Sequence, residues 1–119
     1  MRSSAFECKI YNILTANDFI FEEEYTFADL HTKKGVPLRF DFAVFDDNGD
    51  LDFLIECQGR QHYQPVSVYG GAKGLKRQKY NDGRKRQYCL QHGINLVCIP
   101  YWDENKVNLD YLLRASGSL

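Results

Sequence analysis

The chain has 119 residues, 44% of them hydrophobic, and a formal net charge of −1. That length and apolar content suffice for one core and scarcely two, and there is neither a basic leader followed by an apolar run nor a stretch long enough to span a membrane. A single cytoplasmic domain over residues 1–115 is predicted, with a short flexible tail at 116–119 and no membrane partner.

Ser4-Ala5-Phe6-Glu7 has the form of a capping box, and Phe6, Ile10, Ile13 and Leu14 follow at helical spacing, which predicts a first helix over 5–15. Residues 19–27 are rich in aromatic and extended-favouring side chains. They predict a first strand containing Phe19, Phe21 and Tyr25, leading to a loop at 31–37.

Residues 38–63, LRFDFAVFDDNGDLDFLIECQGRQHY, hold two alternating apolar runs around Asp47-Asn48-Gly49-Asp50. Asn-Gly between such runs signals a hairpin, since both central residues of a type I′ turn need positive φ. With Asn48 and Gly49 as the loop, Asp47 faces Asp50. One face then pairs Val44 with Phe53, Phe42 with Ile55 and Phe40 with Cys57, all apolar. The other pairs Phe45 with Asp52, Ala43 with Leu54, Asp41 with Glu56 and Arg39 with Gln58. Opposed Cβ atoms lie about 4.5–5.5 Å apart and like charges there are destabilising. Asp41 facing Glu56 therefore calls for a shared proton or a cation, and Mg²⁺ is a hard, oxygen-seeking ion suited to the place. The alternative is a solvated sheet face on which Arg39 screens the pair.

Gly59 and the glycine-rich segment 69–74 bracket a predicted loop long enough to close over a ligand. A basic helix should follow over 75–92, ending at Gly93 with His92 in its last turn. The apolar run 94–99, bounded by Gly93 and Pro100, predicts a strand buried on both faces in the middle of a sheet. Residues 107–113 close the domain as a last helix. Cys8, Cys57, Cys89 and Cys98 lack CxxC spacing and fall inside apolar patterns, which suggests buried thiols before a disulfide frame or a zinc site.

The near-neutral total hides an asymmetry. Up to Gly59 there are twelve acids and five bases; from Arg60 to Arg86 there are eight bases and one acid, Asp82. A basic block beside an acidic site suits a polyanion backbone, bound through phosphate neutralisation, although a solvated basic helix has the same composition.

The order helix, strand, hairpin, helix, strand, helix, with Asp41 and Glu56 on facing hairpin strands, resembles the PD-(D/E)XK nuclease superfamily. The resemblance implies an α/β (α+β) restriction-endonuclease-like core, a mixed four-stranded sheet flanked by helices in αβββαβα order. Two departures stand out: Gln58 replaces the usual lysine, and Phe40 the proline before the first acid. The chain is more closely similar to the phage-associated EDxHD homing endonucleases, themselves similar to the very-short-patch-repair mismatch endonucleases. The residues carrying this are Ser4-x-x-Glu7, FEEEYTF at 21–27, LRFDFA at 38–43, IECQGRQHY at 55–63, Gln78-x-x-x-Asp82-x-x-Lys85 and INLVCIPY at 94–101.

The resemblance implies a metal-dependent endonuclease acting on DNA, in the cytoplasm of a bacterial or phage-infected host cell. Its catalytic letters fall on Glu7, Asp41, Gln58, His62 and Asp82. Mg²⁺, with Mn²⁺ as a substitute, would be held by Asp41 with either the Glu56 carboxylate or the main-chain carbonyl of Cys57. Glu7 either caps its helix or orients water on the metal. Gln58 either occupies the signature's variable position or pairs with Arg39. His62 has the side chain suited to activating water near neutral pH. Asp82 either orients His62 or pairs with Lys85. Arg60, Lys76, Arg77, Lys79, Lys85 and Arg86 would seat the DNA backbone. A double-strand cut would call for a homodimer, and many members carry a separate DNA-recognition domain. The rival reading is a nucleic-acid-binding module of the same fold whose catalysis has decayed.

Overall fold

The computed structural model describes residues 4–118. Helix α1 (Ala5–Ala16) precedes strands β1 (Ile20–His31), β2 (Pro37–Phe45) and β3 (Leu51–Gln58); then come α2 (Gly71–His92), β4 (Asn95–Pro100) and α3 (Leu109–Ala115). Short 3-10 turns at Arg60–His62, Ser67–Tyr69 and Tyr101–Lys106 fill the connections. The sheet is mixed, in the order β1-β2-β3-β4, with antiparallel pairs up to β3 and β4 parallel to β3. This is the α+β architecture expected from the sequence.

The start of α1 follows from its cap: the Glu7 N–H donates to Ser4 Oγ at 3.1 Å, and the Ser4 hydroxyl donates back to Glu7 Oε1 at 3.2 Å. Its apolar stripe of Phe6, Ile10 and Leu14 packs on Phe42, Val44, Phe53, Ile55, Val97 and Ile99, and Leu112 of α3 joins the same core. The opposite face carries a smaller core in which Cys89 of α2 meets Leu38, Phe40, Ala43 and Leu54. α1 and α3 thus cover one side of the sheet and α2 the other.

The hairpin register is as expected for Phe42 with Ile55, Ala43 with Leu54 and Val44 with Phe53, but Phe45 pairs with Leu51 and not Asp52. The turn explains the slip. Among its residues Gly49 alone has positive φ (83°), the Gly49 N–H donates to the Asp46 carbonyl, and the Asp46 N–H donates to that of Asp50. Asp46 Oδ1 accepts from the N–H groups of Asn48 and Asp50 at 2.9 and 3.0 Å. The loop therefore has three residues and a glycine bulge, not the two-residue type I′ form, and Asp47 does not face Asp50.

A second departure lies beside the carboxylates. Phe21 and Tyr25 are four residues apart and would share a face of a regular strand, as would Phe40 and Phe42. Instead Phe21 and Phe42 pack on the α1 side while Tyr25 and Phe40 pack on the α2 side. Glu24, between Phe21 and Tyr25, has φ 52°, a left-handed conformation that side chains other than glycine rarely adopt. The two strands invert together at Glu24 and Asp41, so the expected apolar face loses Phe40 to the other side of the sheet.

Other expectations shift as well: β1 runs over Ile20–His31 and not 19–27, and α3 over Leu109–Ala115 and not 107–113. α2 starts at Gly71 rather than Leu75, because Gly70 at φ 91° turns the chain and Gly74 already donates to the Gly70 carbonyl. Only glycine fits at 74, where a Cβ would lie 1.7 Å from the Tyr69 carbonyl oxygen. β4 is an edge strand, not a central one, although Val97 and Ile99 are buried on one of its faces. The expected tail begins as a buried cap: the Ser116 N–H donates to the Leu112 carbonyl, and the Ser116 carbonyl accepts from Asn95 Nδ2 at 2.9 Å. Leu119 lies outside the described residues. All four cysteines are free; Cys89 is buried, but Cys8 is exposed against expectation. No helix among the described residues is long and apolar enough to cross a membrane.

Candidate active site

At the strand inversion the β2–β3 ladder ends, and side chains replace its main-chain bonds. Asp41 Oδ2 accepts the Cys57 N–H at 2.7 Å, and Glu56 Oε1 accepts the Asp41 N–H at 3.1 Å. The two carboxylates are locked across the strands, in the facing arrangement read from the sequence. They open into a cleft of about 320 Å³ also lined by Glu7, His62, Gln78 and Lys85.

α2 supplies the opposite wall. Residues three and four apart share a helix face, so Gln78, Asp82, Lys85 and Cys89 form one row turned to the sheet. Cys89 packs in the core, but the row is otherwise polar. Lys85 is buried, with Nζ donating to Glu56 Oε2 at 3.0 Å and lying 5.5 Å from the centre of the Phe40 ring. Asp82, 6% exposed, bonds His62 Nδ1 through Oδ2 at 2.8 Å and accepts from Gln78 Nε2 through Oδ1 at 3.0 Å.

The turn Arg60–His62 after β3 points the His62 ring into this wall, with only 8% of its side chain exposed. A carboxylate on Nδ1 fixes that nitrogen as the N–H donor, which leaves the lone pair on Nε2 for the cleft. Asp82 thus orients His62, one of the two roles its place in the sequence allowed. The other, a pair with Lys85, is not formed, because Lys85 is held by Glu56.

Burial, then the charge of Glu56, pushes the Asp41 carboxyl up to about 7 against the opposing Cys57 N–H bond. Burial pushes Glu56 upward as well, while the Lys85 ammonium pulls it back. Burial also works against ionised Asp82, but the hydrogen bond and charge of His62, with the Gln78 amide, hold its carboxyl below the usual range. The cleft therefore presents a carboxyl pair with a proton to exchange beside an ionised, histidine-bound aspartate.

The donor set fits a hard divalent cation in part. Such an ion would replace the proton that Asp41 holds near neutrality and relieve its repulsion with Glu56. Asp41 keeps one oxygen clear of the Cys57 bond, whereas both oxygens of Glu56 are engaged, one by the Asp41 N–H and one by Lys85. Asp41 is thus the better placed ligand, and Glu56 acts as the counter-ion of Lys85. Among the described residues no group of three or more His, Cys, Asp or Glu side chains is placed to hold a metal ion. Waters or a phosphate oxygen would have to complete the shell.

Of the other expected site residues, Glu7 reaches the cleft from α1 while also serving its cap. Gln58 is buried and does not meet Arg39: its Oε1 accepts from the Tyr63 hydroxyl, and Arg39 pairs with Glu24 at 2.5 Å. Arg60, Lys76, Arg77, Lys79 and Arg86 are exposed. Arg77 and Arg84 run along one flank of the cleft-facing row and Lys79 and Arg86 along the other. Lys85, expected on that outer surface, is the exception. Sequence reasoning did not single out Gln78 and Glu24 for roles: Gln78 braces Asp82, and Glu24 lies at the cleft rim beside Asp41.

No family model matches the chain, and no solved structure matches it. Over 53 residues it is 49% identical to Uncharacterized protein 094L of Frog virus 3 (isolate Goorha). That match covers 43% of this chain and 34% of the viral protein, so the chain spans about a third of that relative's length.

Proposed function

We propose that this chain is a metal-dependent endonuclease that hydrolyses phosphodiester bonds in DNA, of the PD-(D/E)XK type and related to the EDxHD homing and mismatch-repair endonucleases it resembles, acting in the cytoplasm. The observation that carries the reading is the His62 Nδ1–Asp82 Oδ2 contact of 2.8 Å in the wall that faces the Asp41–Glu56 pair. A histidine held in a single tautomer opposite a carboxyl poised near neutrality combines a general base with an anionic ligand.

Mg²⁺ or Mn²⁺, bound through Asp41, would supply Lewis-acid polarisation of the phosphoryl oxygen. The protein's own groups do the rest. His62 Nε2 takes the proton of the attacking water, and Asp82 stabilises the imidazolium so formed. Lys85 sits where positive charge is needed beside the carboxylates, from a helix instead of from the β3 position that Gln58 occupies. Arg60 and the two basic rows of α2 draw in the phosphate backbone.

Labelled supercoiled plasmid, incubated at low salt with Mg²⁺, Mn²⁺ or EDTA, tests this with wild type beside Asp41→Asn, which keeps the shape of the side chain. Metal-dependent cutting by wild type and none by the variant is expected, with nicked against linear product distinguishing one acting chain from a homodimer. Cutting by Asp41→Asn at the wild-type rate would remove Asp41 as the metal ligand. The engagement of both Glu56 oxygens, one by Lys85 and one by the Asp41 N–H, favours a second reading, a binding module without chemistry. Equal, salt-sensitive DNA binding by both proteins with no cutting under any metal would establish it.

A further inference from the structure

Beyond the cleft, the ends of β3 and β4 carry three aromatic rings that neither core absorbs. Gln58 of β3 pairs with Pro100 of β4, so the residues following each strand emerge side by side. Tyr63 follows the His62 turn, and Tyr101 and Trp102 open the turn after β4. Their ring centres lie 4.7 Å apart for Tyr63–Trp102, 5.9 Å for Tyr63–Tyr101 and 5.2 Å for Tyr101–Trp102. The Tyr63 ring is in turn 6.5 Å from that of His62.

Two of the three have their polar edges tied down. The Tyr63 hydroxyl donates to Gln58 Oε1, and the Tyr101 hydroxyl accepts from Gln64 Nε2 at 3.2 Å. Asp103, the nearest acid in the same turn, is turned away to Tyr111 and Lys106. Trp102 remains 57% exposed and Tyr63 37% exposed. The three rings are tilted against one another at 53–78°, with Trp102 and Tyr63 partly open to solvent, and holding them in place in advance lowers the entropy cost of binding.

The surroundings select the occupant. Exposed Arg60 lies three residues before Tyr63, and the charges of Arg86 on α2 and of the engaged carboxylates Asp82 and Asp103 all reach the Tyr63 phenol. Partly exposed aromatic rings with Arg60 and Arg86 nearby and the neighbouring acids engaged elsewhere, two ring contacts from His62, match a base attached to a phosphate chain better than an apolar peptide or a lipid. A base inside a duplex has both faces covered by its neighbours, whereas a single strand leaves them free.

We infer that Tyr63, Tyr101 and Trp102 form a base-stacking shelf that binds an unpaired nucleobase of a single-stranded polynucleotide next to the phosphodiester held in the cleft. The inference rests on reading the cleft as a phosphodiester site, and its test separates the two. Trp102 is the chain's sole tryptophan, so its fluorescence reports on the shelf alone.

Titration of the full chain with an oligothymidylate, the matching hairpin duplex, and heparin as a polyanion without bases, with EDTA present, should quench Trp102 with the single strand only. Trp102→Ala should weaken single-strand binding about tenfold by anisotropy of a labelled oligonucleotide, and Trp102→Phe should restore most of it. Asp41→Asn should quench like wild type. Equal quenching by duplex or heparin, or unchanged affinity in Trp102→Ala, overturns the shelf. Plasmid cutting without quenching overturns the shelf while sparing the nuclease; quenching without cutting under any metal does the reverse.

Discussion

The two faces of this sheet are built from the same four strands and used differently. On the α1 side, Phe6, Ile10 and Leu14 meet Phe42, Ile55 and Ile99 in a continuous apolar layer. On the α2 side the helix turns a row of Gln78, Asp82 and Lys85 toward the sheet, and Glu56 answers it. A helix that spends its buried face on ionisable groups gives up hydrophobic stabilisation of about 25 cal/mol per Å². The larger apolar core lies on one face and the proposed chemistry on the other, and each can be broken separately.

The largest effect should come from His62→Ala, which removes the proposed base from the α2 side. A loss of cleavage rate of about 10²–10⁴-fold is expected, with the fold retained at a lower melting temperature because buried Asp82 loses its partner. If the pH–rate profile of the residual activity matched that of wild type, His62 would have no part in the reaction. The mirror experiment on the other face is Phe42→Ala, a cavity in the fully buried α1-side core. Denaturant titration should show a loss of about 3–5 kcal/mol, and the molecules still folded should cut normally.

Lys85→Ala affects stability from the α2 side, because it leaves the Glu56 carboxylate buried without its partner. A destabilisation of about 3–5 kcal/mol is expected, most of it recovered when Glu56→Gln is added. Additive losses in the double variant would show that the ion pair is not the unit that matters.

The pH dependence of stability is a further expected effect. Asp41 holds its proton to about 7 in the fold against 3.8 ordinarily, so the unfolded chain releases that proton first. The resulting stability is fully present below the unfolded value and is lost as pH rises from about 4 to about 7. Asp41→Asn should flatten that slope in thermal melts. Mg²⁺, competing with the proton, should raise the wild-type melting temperature more at pH 8 than at pH 5. A stabilisation independent of pH would mean that the ion binds elsewhere.

How much of the site was legible depended on the distance over which its parts communicate. Asp41 facing Glu56 could be counted outward from the Asn-Gly turn because a strand alternates with period two, and the pair came out right even though the turn has a different form. The inversion at Glu24 left no trace, since a glutamate with positive φ is held there by its surroundings and not by its own preference. Helical spacing places Lys85 on the face of Gln78, Asp82 and Cys89 and offers it Asp82 or a phosphate as partner. Nothing local says that it reaches across to Glu56 on another element instead. The glycines at 70–74 read as a loop, yet Gly74 belongs to the first turn of α2, where the Tyr69 carbonyl leaves no room for a Cβ.

By itself the sequence determined the elements and their order, the cap at Ser4, the stop at Gly93, the free cysteines and the facing pair Asp41–Glu56. These follow from periodicity, capping and turn chemistry, which act over a few residues. Tertiary structure decided that β4 takes the edge, that Phe40 changes sides, that Gln58 turns to Tyr63 and that Lys85 and Asp82 leave solvent for Glu56 and His62. Each of those outcomes depends on what a distant segment places opposite, and burying a charge is tolerable only where such a partner waits.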